Sequence, residues 1–282
     1  MQNKQRVTVG LIQMACVLKE KQANLDKAAS FVAQLAGQAD VVCLPELFNI
    51  GYDLDLIGDD VYDLAEPVPD GRTTRWLAKL ARRSDLAIVA GLVEQAPHVT
   101  GLLYDTVVLI NRRGEFAGRY RKSHLYPAEH RFFRPGDELP VFDLDGLRVG
   151  VAICFEAAFP TIFSTLALQG AQIVFNPSAV PVGFDYLQDL RTRARAQDNQ
   201  FFVAAVNHVG NEGSVIYCGR SQMANPRGET VVRASGESAE ALVVELDLSL
   251  IRDQRIQEPV FRGFRPELYR FSPLERDGSE TG

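Results

Sequence analysis

The sequence predicts an α/β fold in which two mixed sheets pack face to face beneath covering helices. Three observations predict it. Short runs rich in Val, Ile and Leu alternate with longer stretches of helical period. Several of these runs are too apolar to leave one face in water, so their sheets must be covered on that side. Tight-turn signals join some runs directly, so hairpins mix with strand–helix–strand units and the sheets cannot be purely parallel.

In chain order, strands are expected at 7–13 and 40–44, separated by a helix at 19–37. That helix carries Leu25, Ala28, Ala29, Val32 and Leu35 as one apolar stripe and stops at Gly37. A helix at 72–84 precedes strands at 87–94 and 106–111, the latter closed by a turn at 111–114. Strands at 141–144 and 148–153 flank Asp145 and Gly146, a dipeptide that reads as a tight hairpin. The helix at 157–170 ends at Gly170, which suits a left-handed C-cap. A strand at 173–176, a helix at 187–199, strands at 201–207, 219–225 and 242–247, and a short helix at 248–254 complete the series. No Pro/Gly/Ser-rich linker and no repeat interrupts it. Residues 1–272 are therefore expected as one domain, with a polar, frayed tail at 273–282.

Composition removes whole classes of function. The 282 residues are 46% hydrophobic and 23% charged, which fits neither a disordered nor a fibrous chain. A net charge of −6 argues against phosphate backbones as partners, so no nucleic acid is expected. Arg191, Arg193 and Arg195 do not reverse this, because a spacing of two spreads them around a helix. No run approaches the roughly 20 apolar residues that span a bilayer, so no membrane partner is expected. The start, MQNKQRVTVG, lacks the apolar core of a secretory signal. Cys16, Cys43, Cys154 and Cys218 are scattered without CxxC spacing and read as free thiols. A cytoplasmic location is the expectation.

Candidate chemistry sits in three places. Cys154 ends the apolar run RVGVAIC and opens a helix, an elbow where helix N–H groups favour a thiolate and an oxyanion. Position alone leaves it open between a nucleophile and a small buried hydrophobe. Glu46 follows VVCLP and precedes Leu47 and Phe48; a carboxylate among apolar groups has a raised pKa and can act as a base. Read alone it is equally a solvated charge at a strand end. Lys122, in RYRKSHL, can hold an oxyanion or be one solvated cation among several, and Glu129, seven residues on, can orient it, contact substrate or be an exposed loop acid. No GxSxG, P-loop or Rossmann fingerprint competes. His98, His124, His130 and His208 lack HExxH spacing. A zinc pair at His124 and His130, or a papain-like Cys154–His208 couple, is open in principle and unsupported by its surroundings.

The segments VCLPELF, GRYRKSHLYPAEHRFFRPG, VGVAICFEAAFP and GAQIVFNPSA resemble, in that order, the Glu, Lys and Cys regions of the nitrilase superfamily and the strand that follows them. The closing RGFRPELY resembles its C-terminal segment, so the likeness runs over about residues 7–269. The resemblance implies a four-layer αββα sandwich, a homodimer or larger homo-oligomer formed through helical faces, and no metal or organic cofactor. It also implies Cys154 as nucleophile, Glu46 as general base, Lys122 as oxyanion-binding lysine and Glu129 as the second glutamate. By the same analogy the backbone N–H of Phe155 joins the oxyanion site. Phe48, Tyr52, Phe155, Phe184 and the turn 177–182, with Ser178 and Ala179, are the expected pocket wall. Within the family, VNHVGNEGSVIYCGRSQMANPRG looks most like amidases acting on small linear amides, and Phe155 stands where many nitrilases carry Trp. The expected substrate is therefore a small carboxamide. Nitriles and N-carbamoyl amines are the alternatives, and a non-catalytic binding or assembly protein of the same fold is the remaining one.

Overall fold

The computed structural model describes residues 5–269, and the tail expected at 273–282 lies outside them. The strands are β1 (Arg6–Gln13), β2 (Val41–Cys43), β3 (Glu66–Pro67), β4 (Ala87–Gln95), β5 (Leu103–Ile110), β6 (Phe116–Arg121), β7 (Phe142–Leu144), β8 (Leu147–Val151), β9 (Ile173–Ser178), β10 (Phe202–Asn207), β11 (Val209–Glu212), β12 (Val215–Cys218), β13 (Gln222–Ala224), β14 (Thr230–Arg233) and β15 (Glu240–Asp247). The α-helices are α1 (Lys21–Leu35), α2 (Leu54–Ile57), α3 (Asp60–Leu64), α4 (Arg72–Ser84), α5 (Pro160–Leu168), α6 (Asp185–Asn199) and α7 (Ser249–Gln257).

The strands form two large sheets. One runs β15-β1-β2-β4-β5-β6 with β3 beside β4, the other β14-β13-β10-β9-β8-β7. Both are mixed, as expected: β1, β2 and β4 are parallel, as are β8, β9 and β10, and the outer strands run antiparallel.

Side-chain alternation explains the layering. Val7, Val9 and Leu11 of β1 point between the sheets, where they join Val149, Val151, Phe175 and Val206. Ile12 points the other way, into a cluster that α1 and α4 build with Leu25, Val32, Leu77 and Leu80 against Val42 and Ile88. Across the molecule, α5 and α6 lay Phe163, Leu166 and Ala196 over Val174 and Val203. The order is αββα. Each such large side chain contributes about 1.5–3 kcal/mol on burial.

Local signals are met at two turns. Asp145 (φ 55°) and Gly146 (φ 87°) are both left-handed, the geometry of a two-residue hairpin turn that matches strand twist. After α5, the Ala171 N–H bonds to the Leu166 carbonyl and Gly170 N–H to Ala167, each at 3.0 Å, with Gly170 at φ 86°.

Three expectations need correction. The helix expected at 157–170 is two pieces, a 3₁₀ turn at Cys154–Ala158 and then α5, because Pro160 lacks an N–H and clashes inside a helix but fits its first turn. The strand expected at 219–225 is only β13, since Gly219 (φ 62°) and Arg220 (φ 55°) bend the chain before it. Strands β3, β6, β11, β12 and β14 have no counterpart among the expected ones; β6 carries Gly118 and two arginines on a half-buried run, which hides its period. All four cysteines are free, as expected. Among the described residues no helix is long and apolar enough to cross a membrane.

Candidate active site

The strand ends of both sheets bring the sequence-predicted residues together. Glu46 follows β2 and Pro45, and its neighbour Leu47 turns at φ 45°. Gly91 of β4 makes room for this turn: a Cβ there would lie 2.8 Å from the Leu47 nitrogen and 3.0 Å from the Glu46 Cα. Lys122 follows β6, held by its own N–H on the Asp105 carbonyl (2.9 Å) and by Gly136 N–H on its carbonyl (2.8 Å). Glu129 sits in a 3₁₀ turn, Pro127–Arg131. Cys154 follows β8 on the other sheet, at φ 45°. A left-handed non-glycine residue costs on the order of 1–3 kcal/mol, and such strain collects at functional sites.

Glu46, Lys122 and Glu129 are each 0% exposed. The Lys122 ammonium donates to Glu46 Oε1 and Glu129 Oε1, both at 2.6 Å. Glu129 also accepts from the Tyr52 hydroxyl and, at 2.8 Å, from the Tyr126 N–H. Two of the three ammonium protons are thus engaged; Asp105 Oδ2 lies farther off, at 3.5 Å. The second oxygen of Glu46 has no protein partner.

These contacts set the protonation. Burial pushes the Glu46 carboxyl up, the Lys122 ammonium pulls it down and Glu129 pushes it up again, leaving it above its ordinary value. Burial alone would lower Lys122, but Glu46, Glu129 and Asp105 hold it well above its usual range, so it is an ammonium at neutral pH. Burial and the Glu46 charge raise the Cys154 thiol, against the opposing pull of Lys122 and of the Ala179 N–H. The resting group is therefore a thiol that needs a base, not a standing thiolate.

Cys154 opens onto a cavity of about 330 Å³. Tyr52, Phe155, Ala179 and Phe184 line it, as expected, together with Tyr126, Asn176 and Tyr217. Four expected wall residues do not: Pro177 and Val182 of the turn, Phe48 and Ser178. Phe48 is 0% exposed and packs in the cluster beneath α1 and α4, because the left-handed turn at Leu47 sends it to the helix side. Ser178 is 1% exposed and its hydroxyl donates back to the Asn176 carbonyl at 3.0 Å. Of the three clustered arginines only Arg191 lines the cavity. Arg193 donates to the Gly228 carbonyl (3.0 Å) and Arg195 to the Ala157 carbonyl (3.1 Å).

Sequence reasoning misses a supporting residue, Glu156. It is 0% exposed and accepts five hydrogen bonds: Oε2 from Ile153 N–H (2.6 Å), and Oε1 from the Tyr120 hydroxyl (2.6 Å), the Ser123 N–H (2.7 Å), the Ser123 hydroxyl (2.6 Å) and the His124 N–H (3.1 Å). It ties the Cys154 elbow to the residues after Lys122. Glu156→Gln replaces one acceptor oxygen by a donor. We expect it to lower stability by about 1–3 kcal/mol and to lower kcat with little change in KM; unchanged urea midpoint and kcat would refute this role.

His208 is not paired with Cys154. Its Nε2 donates to the Glu46 carbonyl (2.5 Å) and its Nδ1 to Glu212 Oε1 (2.7 Å), which also accepts from the Cys16 N–H (2.8 Å). Both partners are acceptors, so both ring nitrogens carry protons. Burial works against that charge, but Glu212 holds the imidazolium well above its usual range. His124 stacks on Phe159, ring centroids 4.2 Å apart, rather than joining His130 as a metal pair. Two buried groups have the composition of a cation site, Cys16/His208/Glu212 and Glu46/Asp105/Glu129. In the first, His208 has no free lone pair; in the second, the Lys122 ammonium takes the cation's place.

Comparison with known proteins agrees with this geometry. The sequence profile described as carbon-nitrogen hydrolase matches residues 8–256. The chain is 36% identical over 267 residues to a nitrilase of Pyrococcus abyssi, covering 93% of this chain and 99% of that one. It is 33% identical over 267 residues to the 2-oxoglutaramate amidase of Bacillus subtilis, with 93% and 99% covered. Among solved structures, an amidase variant from Nesterenkonia sp. AN1, in which acrylamide has added to the active-site cysteine, superposes with a TM-score of 0.77 at 27% identity, covering 91% of this chain and 99% of that one.

Proposed function

The chain belongs to the carbon–nitrogen hydrolase family, and on that premise we propose that it cleaves a small linear carboxamide to acid and ammonia through a thioester on Cys154. One observation carries the reading: a strained cysteine opens onto the cavity beside a buried carboxylate–ammonium pair whose carboxylate has a free oxygen. The amidases among the relatives support an amide as substrate.

The free Oε2 of Glu46 accepts the thiol proton as the sulfur bonds to the amide carbon. The oxyanion is held by the remaining N–H of Lys122 and by the Phe155 N–H. Glu46 then hands its proton to the nitrogen, the C–N bond breaks and ammonia leaves. Water enters, Glu46 takes its proton, hydroxide adds to the thioester carbon, and as the C–S bond breaks Glu46 returns that proton to the sulfur, freeing the acid and restoring the thiol. Glu129 keeps Lys122 aimed, and Tyr52 keeps Glu129 aimed.

The test is ammonia release from a panel of linear carboxamides, N-carbamoyl amines and matched nitriles. Release from the amides supports the reading; release from nitriles or carbamoyl compounds alone overturns the substrate class.

The acyl group has an expected chemistry too. Arg191 is the one cation lining the cavity among the described residues, and it makes no ion pair or hydrogen bond with them. Its fixed charge favours an acyl chain that ends in a carboxylate. Arg191→Leu is expected to raise KM for such amides about tenfold, roughly 1.4 kcal/mol, and to leave KM for neutral amides of equal length unchanged. Equal effects on both substrates would remove Arg191 from this role.

A further inference from the structure

One buried ionisable group at this site has no part in the steps above. Asp105, on β5, is 0% exposed, and both of its carboxyl oxygens lack a hydrogen-bond donor. One oxygen each from Asp105, Glu46 and Glu129 lie within 4.8 Å of one another. A single ammonium serves all three: Lys122 is 2.6 Å from each glutamate and 3.5 Å from Asp105.

Three carboxylates around one ammonium would leave two unbalanced negative charges in a site closed to water, which is strongly unfavourable. A proton relieves this, and the hydrogen bonds decide where it sits. Donors favour the charged form of the group that accepts them. Glu129 accepts from Tyr52, Lys122 and the Tyr126 N–H, and Glu46 accepts from Lys122; Asp105 accepts from nothing. The hydrogen bonds therefore leave Asp105 as the group that takes the proton.

We propose that Asp105 is a positioning residue held as a neutral carboxylic acid, whose O–H is donated to the otherwise unpartnered Oε2 of Glu46. The inference rests on the reading of Glu46 as the base. A carboxylate oxygen has two lone pairs, so Oε2 can accept from Asp105 and still take the proton of Cys154. Asp105 thereby fixes the direction of that oxygen and keeps the net charge low enough for a thiolate to form. Burial first, then Glu46, push the Asp105 carboxyl well above the usual carboxylate range, the same direction.

The groups facing Asp105 are Glu46, Glu129 and Lys122, with Cys154 and Tyr52 behind them. When pH rises enough to ionise Asp105, it adds a negative charge beside the base and the thiolate, so turnover falls on the alkaline side. Stability follows with the opposite sign to an ordinary ion-paired aspartate. The native state binds a proton that the unfolded chain has lost, so stability falls as pH rises from the unfolded aspartate value, about 3.9, to the raised native one.

The experiment pairs infrared spectroscopy with the pH profile of kcat. In wild-type protein carrying ¹³C-labelled aspartate, at about pH 7, we expect an isotope-shifted carbonyl stretch of a protonated aspartic acid, absent in Asp105→Asn. We expect Asp105→Asn to move the alkaline limb of kcat upward by about one pH unit or more, with kcat altered more than KM. Its thermal midpoint should exceed the wild type's at about pH 8 and converge on it toward about pH 4. A missing band, or an alkaline limb that stays in place, overturns the proposal. The band is read without turnover, so it remains decisive even if Cys154 proves not to be the nucleophile.

Discussion

Cys154→Ala is expected to release no measurable ammonia from any amide the wild type cleaves, a loss of about 10⁴-fold or more, equivalent to about 5 kcal/mol of transition-state stabilisation. The variant removes one sulfur atom and nothing else of the site. Cys154 is the one thiol lining the cavity among the described residues, and Glu46 without it has only water to activate. Cys154→Ser should fare little better, because a hydroxyl is much harder to deprotonate than a thiol and the base beside it is a carboxylate. The fold should persist in both: the alanine meets the same left-handed backbone, and the truncated side chain is small and lines the cavity at the edge of the core. A far-ultraviolet spectrum and melting midpoint near wild type, with activity gone, are the expected result. Turnover within tenfold of wild type in either variant would end the thioester scheme.

The second large effect belongs to Lys122. Lys122→Met keeps the length and bulk of the side chain and deletes its charge. Glu46 and Glu129 then lose their 2.6 Å partner while remaining 0% exposed. Breaking a buried pair from one side typically costs about 3–5 kcal/mol, because the stranded charge is the problem. Activity should fall at least about 10³-fold, with the oxyanion unsupported and the base no longer aimed. The pH dependence has a definite sign. In the wild type Lys122 is raised, so its stabilising contribution is full at neutral pH and fades only as pH climbs beyond the unfolded lysine value, about 10.4. In the variant Glu46 loses the ammonium that pulls it down and rises further, so the native state binds a proton that the unfolded chain releases above about pH 4.3. The stability deficit should therefore grow from about pH 5 to about pH 8 in urea titrations. A deficit that is the same at both would mean the carboxylates had found other partners.

The core of this site is legible in the sequence, because Glu46, Lys122, Glu129 and Cys154 each sit in an ordered stretch that matches one family. The two sheets with their helices are legible too, from apolar runs too hydrophobic to face water. What escapes is geometry carried by single dihedral angles and by burial of charge. Phe48 reads as a pocket aromatic because it follows Glu46 so closely, yet the φ of 45° at Leu47 turns it away. Ser178 turns its hydroxyl back to the Asn176 carbonyl, while its neighbour Ala179 lines the cavity. Asp105 illustrates the limit best. The strand is expected from 106, whereas β5 starts at Leu103 and carries Asp105 inward. The groups it meets there, Lys122, Glu46 and Glu129, are distant in sequence. Glu156 is hidden similarly, as an ordinary acid opening a helix.

The two halves of the site also ride on different sheets. Glu46, Lys122 and Asp105 come from the ends and body of β2, β6 and β5; Cys154 and Ala179 come from the ends of β8 and β9. The joint between them is greasy and undirected, and such a layer resists separation far better than it resists sliding. His208 changes that. Standing just past β10, it grips the Glu46 carbonyl of the opposite sheet, and it acts as a dowel that sets registration where hydrophobic contact cannot. A slip of about 1 Å can cost on the order of 10²-fold in rate. The enzyme is thus an alignment gauge for its own interior: anything that lets the sheets creep will silence it while every strand is still intact.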